Sequence, residues 1–235
     1  MLTGQIIDSI LEVASKGVPS DDERLSPRHI FNRMLTVRGR LLVQKANKRQ
    51  RISDECYQVL PCVEMVKAGV HECPCLPAPG CGIYRTKYKI PSSMTAIGHS
   101  LIRSVTTLDG DKEYSETTWE EKKYKSANRY TKAMPDYYIR SGYIYVTEKM
   151  TFNNVVTIVG LFNDPTEAWE YENYCNRDCN DCDNCDSYMD REFPLDNDNI
   201  NTMVRLVQEE LLGPFVQMVE DRTSDSADSP DERSK

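Results

Sequence analysis

Four thiols fall within eleven residues: Cys175, Cys179, Cys182 and Cys185, spaced C-x3-C-x2-C-x2-C. Thiolates at that density could present a sulfur set to Zn²⁺ or to an iron–sulfur cluster. The layout departs from the two separated pairs usual for zinc, and no proline follows the last cysteine as in bacterial ferredoxins. Asp178, Asp181, Asp183 and Asp186 add negative charge, which favours a cation and opposes a reduced cluster. Two readings stand, a structural zinc that staples the loop and an exposed polar loop with thiols. His71, Cys73, Cys75 and Cys81 form a second group close enough in sequence to share a metal, but the Cys-Pro-Cys core is cramped. Buried thiols in a proline-rich loop suit it as well.

Other reactive side chains do not converge. His29, His71 and His99 sit in different settings, and there is no Gly-x-Ser-x-Gly elbow, Ser-x-x-Lys motif, Walker loop or dinucleotide fingerprint. Carboxylates are plentiful, but abundance without a cleft is not an acid–base pair. The expectation is therefore a protein that is not an enzyme and needs no cofactor, with zinc at the four-cysteine loop as the alternative.

Composition narrows the classes further. The 235 residues can bury one core, or one core with a smaller lobe. A net charge of −8 argues against a dedicated nucleic-acid binder. No run approaches the roughly 18 to 20 apolar residues of a membrane span, and the first residues lack the pattern of a secretory signal. Nine cysteines, an odd number, then predict reduced thiols in a soluble protein made in a cytosol.

The elements that would position these groups follow from periodicity. Ile6, Ile7, Ile10, Leu11 and Ala14 have helical spacing, closed by Gly17 and Pro19. Ser26 and Pro27 open a longer helix on which Ile30, Met34, Val37 and Leu41 recur. The segment 55–66 reads as a strand or two interrupted at Pro61, and 83–90 and 102–108 as further strands, the latter closed by Asp109-Gly110. Residues 118–132 read as a helix carrying Trp119 and Tyr124. Tyr143, Tyr145 and Thr147 alternate with Ile144 and Val146, giving a strand with one tyrosine face. Residues 155–162 are β-branched and apolar on both faces, which predicts a strand covered on both sides. A short helix follows Pro165, and Asn199 is the expected cap of a last helix interrupted at Gly213-Pro214. Five parts result: helical 1–54, a β-rich middle 55–170 with one helix, the Cys/Asp-rich loop 171–196, a helix over 197–221, and a disordered acidic tail 222–235.

The second helix carries the main surface feature. Between Leu25 and Ser53, Arg28, Arg33, Arg38, Arg40, Lys45, Lys48, Arg49 and Arg51 occur with no acidic residue. One reading is a solvated face with cations gathered toward a helix C-terminus. Another is a docking face for an acidic surface of a partner or of a neighbouring copy. DNA phosphate ranks third on charge grounds.

Residues 20–53, the cysteine-rich stretch ECPCLPAPGCGIYRTKYKIP (72–91) and YYIRSGYIYVTEKMTFNNVVTIVGLFNDP (137–165) resemble structural proteins encoded near the portal gene in crAss-like bacteriophages. The resemblance spans about residues 1–169 and leaves the four-cysteine loop and the tail uncovered. It implies a virion head-to-tail connector, a neck ring or adaptor docking below the portal and extending the DNA channel to the tail. The implied fold is α+β: an antiparallel helix bundle from the N- and C-terminal amphipathic helices with a β-hairpin-rich portion, as in head-completion adaptors of short-tailed phages. The implied partners are the portal protein, other neck or tail ring proteins and copies of itself in a dodecameric ring, with DNA passing through and no membrane. Synthesis would be in the host cytoplasm and residence in the virion. On this reading Arg28, Arg33, Arg38, Arg40 and Lys45 make the partner contacts. The alternative function is a small zinc-binding adaptor or regulatory protein organised by Cys175, Cys179, Cys182 and Cys185.

Elemental analysis of protein purified without chelator separates the two readings of the loop. About one zinc per chain would establish the staple, and less than about 0.2 would remove it.

Overall fold

Two tight turns show how local sequence sets the strand pairing. Ser141 and Gly142 both have positive φ (53° and 81°), the conformation of a two-residue hairpin turn whose twist matches its strands. They join β7 (Asp136–Arg140) to β8 (Tyr143–Val146), in register from Arg140 against Tyr143 to Tyr137 against Val146. Ile97 and Gly98 (φ 53° and 79°) join β3 (Thr95–Ala96) to β4 (His99–Ser100) in the same way.

The structure is a computed structural model that describes residues 1–14, 25–69, 82–118, 120–125, 129–130, 134–147, 154–172 and 187–225. The chain divides into a unit formed by Met1–Gln44 with Asp186–Lys235 and a unit formed by Lys45–Cys185.

In the second unit seven strands close into a barrel. These are β1 (Gln58–Lys67), β2 (Tyr84–Thr86), β5 (Ile102–Thr107), β6 (Glu113–Glu116), β7, β8 and β9 (Val155–Gly160), in the order β1-β2-β8-β7-β6-β5-β9. All neighbours are antiparallel except β6 and β7, which run parallel. β1 closes the ring, pairing with β9 along residues 58–64 and with β2 along 65–67. Pro61 is tolerated inside it because the ladder shifts there. Leu60 faces Ile158 but Val63 faces Val156, so one extra residue is accommodated where Cys62 takes a φ of 55°. The bulge reverses the parity of the strand, so Leu60 and Val63 both join the core.

The core cluster follows the period of two around the barrel: Met65 on β1, Ile102 and Val105 on β5, Tyr114 on β6, Tyr137 on β7, Ile144 and Val146 on β8, and Val156 and Ile158 on β9. Gly160 lets two backbones approach, since a Cβ there would stand 3.4 Å from Ile102 Cα. Phe162 and, from α4 (Pro165–Glu172), Ala168 and Tyr171 belong to the same cluster. Asp164 caps α4, accepting from the Thr166 amide at 2.8 Å.

In the first unit, α1 (Thr3–Ala14) buries Ile6, Ile7 and Ile10 and packs on α5 (Asn197–Asp225) and on the single turn Tyr188–Asp190. Helix α2 (Pro27–Asn47) starts where expected, with Ser26 Oγ accepting from the His29 amide at 3.2 Å.

Several expectations are corrected. The fold is not an antiparallel helix bundle bearing hairpins: the strands close a seven-stranded barrel. β9 is not covered on both faces, for Val156 and Ile158 are buried while Val155, Thr157 and Val159 are half-exposed. Asp196, not Asn199, precedes α5 and accepts from the Asn199 and Ile200 amides. The α5 backbone continues through Gly213-Pro214 to Asp225, so residues 222–225 of the expected tail are helical. Of the helix expected over 118–132, α3 (Lys122–Lys125) is the described part. Trp119 and residues 226–235 lie outside the described residues.

The interior of β9 should govern stability. Ile158 is fully buried, so Ile158→Ala is expected to lower the unfolding free energy by about 2–5 kcal/mol in urea titration. Thr157→Ala, on the outward face, should change it by less than about 1 kcal/mol.

Candidate partner-binding faces

The basic residues of α2 are sorted by helix geometry. Arg38 follows Met34 by four, which turns it onto the apolar stripe. It is fully buried, and its Nε donates to the Pro194 carbonyl at 2.9 Å. A guanidinium removed from water is costly without such partners, so Arg38 is a structural residue. Arg33 and Arg40 are seven apart and share a face two turns long. Both reach Glu210 on α5: Arg33 Nε pairs with Oε2, and Arg40 Nη1 with Oε1 at 3.1 Å. Arg28 is exposed and Lys45 half-buried. Lys48, Arg49 and Arg51 are exposed where the chain leaves the helix, with Arg49 in the left-handed conformation that ends it. The continuous stripe suggested by the sequence is thus one buried residue, a two-arginine clamp and separate exposed cations.

Burial raises the Glu210 carboxyl, but the hydrogen bonds and charges of Arg33 and Arg40 together outweigh it, leaving its pKa below the ordinary carboxylate value. Sequence reasoning missed this acceptor because it lies some 170 residues away and nothing in its local pattern marks it.

Two further faces belong to the barrel unit. Outside β7 and β8, the rings of Tyr138 and Tyr145 stack with centroids 5.0 Å apart, and the Arg85 guanidinium lies 4.5 Å from the Tyr143 ring centroid. This is the tyrosine face that the alternation predicts, but Tyr138 and Tyr145 are buried in a small satellite cluster with Ala68. At the far end of β7, an open groove of about 700 Å³ runs between the Ser141-Gly142 turn, residues 89–93 and α4. Tyr171 floors it, its hydroxyl donating to the Lys89 carbonyl.

The four-cysteine loop Cys175, Cys179, Cys182 and Cys185, and the His71 group, lie outside the described residues. Among the described residues no cluster of three or more His, Cys, Asp or Glu side chains could hold a metal. Cys56 is buried before β1 and Cys62 sits in its bulge. The Tyr137 phenol is pushed far above its ordinary value by burial, then by Glu116 and Glu113, so it stays protonated and does no acid–base work near neutrality.

A family model described as phage tail ring protein 2 matches residues 5–232. The chain is also similar to Ring protein 2 of Bacteroides phage crAss001, with 25% identity over 233 residues, covering 91% of this chain and 92% of that relative.

The clamp gives a pH signature. A carboxyl whose folded-state pKa is lowered contributes stability that is complete above its unfolded-state value and is lost as pH falls through the folded one. Unfolding free energy should therefore decline below about pH 4.3, and Glu210→Gln should lessen that decline. At pH 7 the variant is expected to be roughly 1 kcal/mol less stable, because the charges are partly exposed and screened.

Proposed function

Because this chain belongs to the phage tail ring protein 2 family and is on that ground a structural ring protein of the virion, we propose that it is a head-to-tail connector. Copies close a ring, a dodecamer matched to the portal, that docks below it, extends the DNA channel and offers the next tail ring a docking surface. The observation that carries this reading is the extent of the match. It runs over residues 5–232 and nearly the full length of a ring protein, so the likeness is to a whole ring protein rather than to one shared domain.

The physical features agree with work done by surfaces. The groups with defined geometry are clamps, stacks and a barrel core, and among the described residues no helix is long and apolar enough to cross a membrane. An overall negative charge keeps a channel lining from holding passing DNA. On α2 the docking charge falls to Arg28, with Arg40, 47% exposed even while paired, and Arg33 and Lys45 behind them. Arg38, fully buried, is not part of that face. Reversing Arg33 and Arg40 together would place three acidic groups at one point and unsettle the subunit itself, so Arg28 is the cleaner probe.

Particles or reconstituted portal complexes should contain this chain in a ring contacting the portal. Arg28→Glu is expected to leave the thermal unfolding of the free subunit nearly unchanged and to slow portal association and reduce its salt dependence, as loss of a rim charge does. A ring found only at a tail position without portal contact would overturn the docking assignment.

A further inference from the structure

A ring subunit needs two different surfaces, one for the copy ahead and one for the copy behind. The barrel unit offers a pair at opposite ends of one strand. Before β7 comes the segment 118–134, with five basic residues against two acidic ones in a chain whose net charge is −8. It displays large side chains to solvent: Tyr124 is 78% and Tyr130 84% exposed. Arg129 is exposed beside Tyr130, and Lys125 holds the segment to the barrel through Ser115 Oγ at 2.9 Å. Two tyrosines this exposed beside cations suit an interface whose core is aromatic and whose rim is charged.

After β7 comes the groove of about 700 Å³. Its apolar lining includes Ile90, Pro91, Ile139 and Tyr171, and Glu167 and Glu170 stand on it from successive turns of α4. Lys89 also lines it. The groove has an apolar floor and volume enough for aromatic side chains, and two carboxylates for the cations beside them. The five residues of β7 put roughly 17 Å between the two features.

We infer that Tyr124 and Tyr130 of one copy seat in this groove of the next, with Lys125 and Arg129 facing Glu167 and Glu170. The contact is head-to-tail, joins unlike surfaces and repeats around the ring. It rests on the ring reading above and assigns the surfaces by which the copies join. The occupant is a second copy because the two features are complementary in charge and in apolar character, and one chain carries both. DNA is disfavoured as the ligand of the groove by its two carboxylates.

A photoreactive phenylalanine analogue at position 130 in assembled particles tests the pairing. The expected product is a cross-link between two copies of this chain, mapped by mass spectrometry to residues 89–93, 139–142 or 167–171. Cross-links only to DNA, only to another protein, or to a different part of the second copy would overturn it. Particles that lack the chain altogether would instead overturn the ring reading. A charge exchange provides the second arm. Arg129→Glu or Glu170→Arg alone should reduce incorporation at least about tenfold, and the double variant should recover to within about threefold of the natural chain. Single variants that incorporate normally, or a double variant no better than either single one, would discard the assignment.

Discussion

Closure of the barrel at β1 is the constraint on which the second unit depends. A seven-stranded sheet whose two end strands failed to meet would leave two unpaired edges, open to pairing with other chains. β1 prevents this by giving its first half to β9 and its second half to β2. A straight strand carrying Pro61 could not do so, since proline donates nothing to the ladder and would expose the following residues on the wrong face. The bulge at Cys62 absorbs both problems: it takes proline out of the regular register and returns Val63 and Met65 to the interior.

How much of this was legible in the sequence depends on the range of the interaction. Strand β8, the turn after β5 and the cap at Ser26 are set by neighbours in the chain, and residue type alone predicts them, whereas the Ser141-Gly142 turn that pairs β8 with β7 is not among the expectations. Closure is set by pairs far apart, such as Val59 with Val159 and Met65 with Thr86. No local pattern encodes those pairs, so the middle reads as separate strands, and the expected helix bundle comes from the resemblance to head-completion adaptors. The β9 error has the same origin, since half-exposed Val155 and Val159 look identical in sequence to buried ones.

The candidate surfaces divide likewise. The run of cations on α2 is plain in the sequence, but Arg38, expected among the partner contacts, is buried instead. The capture of Arg33 and Arg40 by Glu210 is not legible there, because the acceptor comes from the other end of the chain. A charge count therefore overstates what α2 offers to another molecule. Part of its positive field is already answered inside the subunit, and of the exposed cations that remain Arg28 stands at the helix start while Lys48, Arg49 and Arg51 follow its end.

The single parallel pair in the barrel has a topological consequence. Because β6 and β7 lie side by side and point the same way, the chain leaving Glu116 must return to the end at which β6 began before it can enter at Asp136. The sheet thus sets a minimum length for the connection between Glu116 and Asp136: cut to the size of a hairpin turn, it could deliver β7 only in the opposite sense, and the pairing of Ser115 with Asp136 would be lost.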